Sequence, residues 1–93
     1  MKRAIDLLEL AQVAIKFAEA ATDVTHCREQ LNAAYYAWRA FAGVTWLIKR
    51  DDENWNAMMT ATAEEYRLLQ NSKGRERRAK AKLLALAREL GGV

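Results

Sequence analysis

Apolar residues over the first twenty positions repeat with the period of an α-helix. At about 100° per residue they cover about half of the helical cylinder. Polar side chains fill most of the other half, with Ile5 and Val13 as exceptions. The pattern predicts a helix over residues 2–21. Its apolar face consists of Leu7, Leu8, Leu10, Ala11, Ala14, Ile15, Phe17, Ala18 and Ala21.

The segment after this helix predicts a turn. Thr22, Asp23 and Thr25 carry side-chain oxygens of the kind that cap helix N-termini. We therefore expect the chain to turn here and to restart as a second helix over 25–50. The core stripe of that helix has alternating spacings of three and four, through Leu31, Ala34, Trp38, Phe41, Thr45 and Ile48.

Three consecutive acids at 51–53 predict a second break. Acids favour a helix N-terminus, and the basic pair at 49–50 favours the C-terminus before it. We expect a third helix over 52–71. Because the apolar stripe continues in phase across the acids, one bent helix over 25–71 is the alternative. The continuing stripe consists of Trp55, Met59, Thr62, Tyr66 and Leu69.

The segment 71–74 combines Asn, Ser, Lys and Gly, and both Asn and Gly adopt the left-handed cap conformation. It predicts the end of the third helix and a fourth helix over 75–90. The inward face of the fourth helix has Ala79, Leu83, Leu86, Ala87 and Leu90. The predicted fold is all-α: a single domain over 1–93, forming an oligomeric three- or four-helix bundle with a long central helix.

The second predicted helix has more apolar surface than one core contact needs. Opposite its core stripe, small residues lie between two large apolar ones, where a solvent-facing helix would be polar. Small residues allow two helices to approach closely. We expect this face to mediate self-association, the alternative being burial within one chain. The face consists of Ala33, Tyr36, Ala40, Gly43 and Leu47.

A strip between these two faces interleaves guanidinium groups with aromatic rings. Guanidinium groups offer forked donors to phosphate or carboxylate, and aromatic rings stack on bases or on arginine. The strip predicts binding to an anionic partner. The alternative is arginine stems lying over aromatic side chains at the rim of a core. The residues are Arg28, Tyr35, Arg39, Trp46 and Arg50.

Charge is unevenly placed in this 93-residue chain of net charge +3. Residues 73–93 hold seven basic and two acidic side chains, so the preceding part is slightly acidic. A basic helix of this kind favours phosphate contacts, the alternative being a solvated face. The nucleic-acid candidates are Arg75, Arg77, Arg78, Lys80 and Lys82.

Residue types for catalysis or metal binding are scarce. The one histidine, His26, adjoins the one cysteine, Cys27, and neighbours in a helix point about 100° apart. We expect no enzyme activity, no metal and no cofactor, because one His and one Cys do not complete a zinc site and no phosphate loop or nucleophile elbow is present. The longest apolar run is too short for a bilayer span, so we expect a cytoplasmic protein without membrane contact.

These features favour a small helical protein that binds another macromolecule, acting as an adaptor, an anti-activator or an inhibitor. Phages and mobile elements often encode proteins of this class to block host machinery. The alternative is an accessory protein that binds nucleic acid through its basic last helix. A third interpretation is sequestration of a small anionic ligand, such as a nucleotide, between subunits.

Overall fold

The protein is described here by a computed structural model that covers residues 7–91. It contains three helices: α1 (Leu7–Ala42), α2 (Glu53–Ala61) and α3 (Ala63–Gly91). The predicted all-α class is confirmed for this part of the chain. The molecule is a rod of 63 × 20 × 18 Å, because α1 and α3 pack along most of their lengths.

Two apolar clusters show that α1 and α3 run antiparallel. Near one end of the rod, Val13 from the start of α1 packs with Leu86 from the end of α3. Further along, Val24 and Leu31 pack with Leu69, which lies in the first half of α3. The chain therefore forms a helical hairpin in which a single line of side chains on each helix makes the α1–α3 contact, and Val44 and Met58 are buried outside this contact.

The sequence pattern behind this contact is a spacing of alternating three and four residues. That spacing keeps one line of side chains on the same side of each helix, as in coiled coils. The buried or half-buried line on α1 is Leu10, Val13, Phe17, Ala20, Val24, Cys27 and Leu31. The matching line on α3 is Leu69, Ser72, Glu76, Ala79, Leu83, Leu86 and Leu90.

Between the two clusters both helices carry small side chains. Ala20 of α1 and Ser72 of α3 are buried, and Ala79 is half-buried. The hydroxyl of Ser72 donates to the carbonyl oxygen of Leu69 at 2.8 Å, so this polar group is satisfied within its own helix. The helices thus meet here mainly across small side chains, with the half-buried Phe17 of α1 as a larger apolar residue in the same interval.

The predicted apolar face of the first helix is partly wrong. Leu7, Leu8 and Ile15 of the predicted face are 76%, 65% and 58% exposed, whereas Val13, an exception to that face, is buried. The line that faces α3 is rotated from the centre of the predicted face. The reason is that α1 is apolar on more than one side, so periodicity alone does not select the side that is covered.

The predicted turn at 22–25 is wrong, because α1 continues through it. The hydroxyl of Thr22 donates to the carbonyl oxygen of Ala18 at 3.0 Å, and that of Thr25 to Ala21 at 3.3 Å. Both oxygens therefore bond within the helix rather than cap a new one. The apolar line that contacts α3 also continues through this segment, so packing stabilises the helical conformation there.

The predicted second helix, 25–50, ends early, at Ala42. Gly43 has φ of +71°, a left-handed conformation that glycine adopts without steric cost. Its N–H donates to the carbonyl oxygen of Ala40 at 3.3 Å, and the N–H of Val44 donates to the carbonyl oxygen of Arg39 at 3.0 Å. This pair of bonds is the Schellman arrangement that terminates helices.

Residues 43–52 form a loop. Two predicted core residues, one in the loop and one just before it, are exposed. Phe41 is 92% exposed in the last turn of α1, and Thr45 is exposed in the loop. Thr45 is exposed because the predicted stripe extends past the end of the helix. Phe41 lies inside the helix, on a side that neither α2 nor α3 covers. The predicted break at the acids lies next to the start of α2, and the alternative of one bent helix over 25–71 is wrong.

The later helix boundaries also differ from the predicted 52–71 and 75–90. The helical run is interrupted at Thr62, whose hydroxyl donates to the carbonyl oxygen of Met58 at 2.7 Å, and α3 then continues through 71–74. Ser72 is fully buried within this segment, so tertiary packing outweighs the local preference for a cap. Of the remaining predicted core positions, Tyr66 and Ala87 are exposed.

Replacing an internal glycine by alanine is expected to lower the free energy of unfolding at Gly43 and to raise it at Gly74. Gly43→Ala places a side chain at positive φ and costs about 1 kcal/mol of unfolding free energy. Gly74→Ala lies inside α3, where alanine is favoured by about 0.5–1 kcal/mol. Its new Cβ approaches the flexible ends of Arg78, at 3.2 Å, and Arg77, at 3.9 Å. Urea unfolding followed by circular dichroism measures both; equal signs would contradict these helix boundaries.

Candidate functional site

The loop 43–52 lies at one end of the rod. We call this loop and the last two turns of α1 the tip. A side-chain amino group of Arg39 donates to the carbonyl oxygen of Trp46 at 2.6 Å. This bond holds the first half of the loop against α1. Val44, directly after the helix-ending glycine, is buried and anchors the same half.

Asp52 fixes the second half of the loop. One carboxylate oxygen accepts the N–H of Trp55 at 2.7 Å, which caps the N-terminus of α2. The other oxygen accepts the N–H of Lys49 at 3.1 Å. The neighbouring Asp51 has φ of +66°, a conformation that aspartate tolerates better than most residues. The tip is therefore tied at both ends by side-chain to backbone bonds.

An open cleft of about 580 Å³ lies at the tip, between α1, the loop and α2. Its walls combine aromatic and aliphatic side chains with a guanidinium and an amide group. Burial raises the pKa of the Tyr35 phenol in this cleft, and the Tyr66 phenol adds to the effect. The lining residues are Asn32, Tyr35, Tyr36, Arg39, Leu47, Ile48, Trp55 and Met58.

Large apolar side chains of the tip are exposed, and two of them, Tyr36 and Leu47, line this cleft. Phe41 is 92% exposed, Leu47 83%, Tyr36 74% and Trp46 57%. Such side chains are usually covered in monomeric proteins when they occur in a group. Aromatic residues with an arginine nearby are the composition that dominates binding energy in protein interfaces.

No protein-family model, curated protein or solved structure matches the chain.

The predicted anion-binding strip is not a strip on one helix. Arg28 and the half-buried Tyr35 and Arg39 lie on α1, while Trp46 and Arg50 lie in the loop. The bond from Arg39 to the Trp46 carbonyl still brings two of the five together. The prediction of a continuous helical face failed because the helix ends at Ala42.

The predicted self-association face is divided in the same way. Ala33, Tyr36 and Ala40 are exposed on α1, whereas Gly43 ends the helix and Leu47 belongs to the loop. Tyr36 and Leu47 nevertheless line the same cleft. Except for Arg28, the large members of both predicted sets thus lie together at the tip, and the loop rather than helical periodicity brings them there.

The basic candidates lie on α3, and all five are exposed. Within residues 7–91 none of them forms an ion pair, whereas Arg67 on the same helix pairs with Glu64 and lowers the pKa of that carboxyl group. Gln70, Asn71 and Gly74 line a shallow groove with three of the arginines. The candidates are Arg75, Arg77, Arg78, Lys80 and Lys82.

The residues considered for catalysis and metal binding do not form a cluster in the part of the chain that the structure describes. His26 is exposed and Cys27 is half-buried beside the cluster of Val24 and Leu31. Over the described residues, no three His, Cys, Asp or Glu side chains are placed to hold a metal ion. None of the helices in residues 7–91 has the length and apolarity to cross a bilayer.

Sequence reasoning missed the outer side of α1 as a separate surface. Leu8, Ala11, Ile15 and Ala18 are all exposed and lie away from α3. They were assigned to the core together with the residues that do contact α3. A second series with spacings of three and four, about 150° from the first, is the signal that separates the two sides.

The capping role of Asp52 gives a measurable stability order. Asp52→Ala removes both acceptors of the loop and costs about 1 kcal/mol of unfolding free energy. Asp52→Asn keeps one side-chain oxygen for the N–H of Trp55, so its loss is smaller. Chemical unfolding of the three proteins is expected to rank wild type, Asn and Ala in descending order. An alanine variant as stable as the wild type would contradict the cap.

Proposed function

We propose that the protein binds another macromolecule, without catalysis, through its tip. The observation that supports this most directly is the exposure of Phe41, Leu47 and Tyr36 at 92%, 83% and 74% in one short stretch of the chain. Covering large apolar side chains releases about 25 cal/mol per Å² of apolar surface. A partner surface that covers the tip gains this free energy.

The loop conformation supports the same proposal. The Schellman bonds after α1, the bond from Arg39 to Trp46 and the cap formed by Asp52 hold the loop in one arrangement. A loop that is ordered before binding loses less conformational entropy on association. The tip therefore presents its aromatic side chains at a lower entropic cost than a mobile loop would.

The charges at the tip sum to +1, because three basic side chains stand against Asp51 and Asp52, and this balance favours an anionic partner surface. Arg39 uses one amino group for the Trp46 carbonyl and retains further N–H donors of its guanidinium. Lys49 and Arg50 are exposed on the loop. We propose a protein partner whose apolar patch is rimmed by carboxylates, and a role as an adaptor, an anti-activator or an inhibitor that occupies this patch.

Photo-crosslinking and matched variants test the proposal. Benzoylphenylalanine at position 41 is expected to crosslink one partner, and Tyr36→Ala with Leu47→Ser is expected to lower its capture at least tenfold. The control is Leu84→Ser, which changes an exposed apolar residue of α3. Circular dichroism verifies that each variant is folded. Equal capture by the tip variant and the control would contradict the proposal.

A second candidate function is nucleic-acid binding through α3. It is supported by five exposed cations that form no ion pair within residues 7–91. Arg75 to Lys82 spans about 10 Å of helix at 1.5 Å per residue, which is the reach of a few successive phosphates. Backbone contacts of this kind give affinity without base specificity.

The salt dependence of DNA binding distinguishes a site on α3 from binding through the tip. Arg77→Ala with Arg78→Ala is expected to reduce the slope of log affinity against log salt for duplex DNA by about 2, since each lost phosphate contact removes about 1. Lys49→Ala with Arg50→Ala removes the same charge at the tip and is expected to leave the slope nearly unchanged. Equal slopes for both variants would contradict a site on α3.

A further inference from the structure

Gly74 lies in the interior of α3, where neither the backbone nor the helix contact requires a glycine. Glycine disfavours a helix interior relative to alanine. A positive φ, the usual reason for a glycine, is found at Gly43 but not at Gly74. Gly74 also lies about 200° around the helix from Ser72, which is buried against α1. The reason for the missing side chain is therefore to be found on the outer side of α3.

On that side, Gly74 leaves room for two guanidinium groups. A Cβ at this position would lie 3.2 Å from Nη1 of Arg78 and 3.9 Å from Nη2 of Arg77. The ends of both arginine side chains thus converge over one backbone position. Gly74 is buried although it faces away from α1, because these ends lie over it.

Two carboxamide groups complete an open groove of about 400 Å³ around this position. They lie one helical turn before the glycine, and the two guanidinium groups lie one turn after it, so the four side chains surround the space that glycine leaves. Every side chain in the groove carries N–H donors, and none carries a carboxylate. The lining residues are Gln70, Asn71, Gly74, Arg75, Arg77 and Arg78.

No acidic side chain compensates the two guanidinium groups. Ion pairs within a helix join residues three or four positions apart. At these spacings Arg77 and Arg78 have only glycine, alanine and further cations as neighbours, and neither forms an ion pair within residues 7–91. Arg67 on the same helix has Glu64 three positions away and pairs with it. The like charges at the groove therefore repel each other, and a bound anion relieves this repulsion.

The acids nearest to the groove face other surfaces. Glu76 belongs to the half-buried line of α3 that faces α1. Glu19 and Asp23 of α1 line a separate groove together with Arg75. Arg75 therefore has carboxylates on its other side, and the uncompensated charge comes from the two arginines that follow it.

A phosphoryl group matches this set of donors better than a carboxylate does. Guanidinium groups offer forked N–H donors, and each carboxamide adds two more. A carboxylate has two acceptor oxygens, whereas a phosphate monoester has three and a charge between about −1.5 and −2. Two adjacent guanidinium groups are thus neutralised by one phosphoryl group.

We propose that the groove at Gly74 is a binding site for one phosphoryl group. Arg77 and Arg78 neutralise its charge, and Gln70 and Asn71 donate to its oxygens. The site rests on the second candidate function for its place on α3. It differs from that function in being one discrete site rather than a row of cations, and Lys80 and Lys82 lie outside it.

Calorimetric titration with inorganic pyrophosphate at constant ionic strength measures the dissociation constant of the site. Arg78→Gln is expected to raise this constant at least tenfold, because charge-assisted hydrogen bonds are lost. The matched control is Lys80→Gln, which removes the same charge from the same helix outside the groove and is expected to have an effect below about threefold. Equal effects of the two variants, or binding of malonate as tight as that of pyrophosphate, overturns the proposal.

Gly74→Ala separates binding from stability. Alanine stabilises α3, so the melting temperature without ligand is expected to rise. The new Cβ occupies the floor of the groove and displaces the end of Arg78, so the dissociation constant for pyrophosphate is expected to rise at least threefold. A loss of folding lowers both stability and affinity, whereas this account gives them opposite signs. A more stable variant that binds pyrophosphate as tightly as the wild type overturns the proposed geometry.

Competition between pyrophosphate and duplex DNA distinguishes this site from the second candidate function. Displacement of DNA by pyrophosphate supports both. DNA binding that depends on Arg77 and Arg78, with no binding of pyrophosphate, overturns the phosphoryl site and leaves the nucleic-acid function standing. Pyrophosphate binding without DNA binding supports a site for a free phosphate ester and overturns the nucleic-acid function.

Discussion

The contact between α1 and α3 is the interaction on which the rest of the structure depends. It is formed by one line of side chains per helix, with Val13 against Leu86 at one end and Val24 and Leu31 against Leu69 further along. A hairpin of two helices buries only the sides that face each other. The register of the α1–α3 contact therefore decides which side chains face outward. Apolar residues face outward on α1, and cations face outward on α3.

Much of the fold follows from local sequence, and the two helix breaks that were wrongly predicted share one cause. The all-α class and the break beside the acids at 51–53 follow from periodicity and capping chemistry. The predicted breaks at 22–25 and 71–74 failed because cap-forming residues also fit a helix interior when the helix is packed. Thr22 bonds within its own helix, and Ser72 is buried against α1. Local preference is weaker than this tertiary contact.

For the candidate binding surfaces, the sequence predicts the residue types but not how the residues are arranged. The five basic positions from Arg75 to Lys82 are exposed, since a charged arc on a helix faces water whatever its partner. The tip was misplaced because Gly43 ends α1 and moves Trp46 and Leu47 into a loop. The outer side of α1 was missed because two apolar lines on one helix have the same sequence pattern as one broad apolar face. Only the position of α3 separates them.

Methyl nuclear Overhauser effects test the hairpin most directly. Cross-peaks are expected between Val13 and Leu86, and between Val24 and Leu69, within one chain. A sample mixing labelled and unlabelled chains distinguishes contacts within a chain from contacts between copies. Backbone shifts from the same spectra are expected to be helical through residues 22–25 and 71–74. Missing cross-peaks together with non-helical shifts at these two segments would contradict the account.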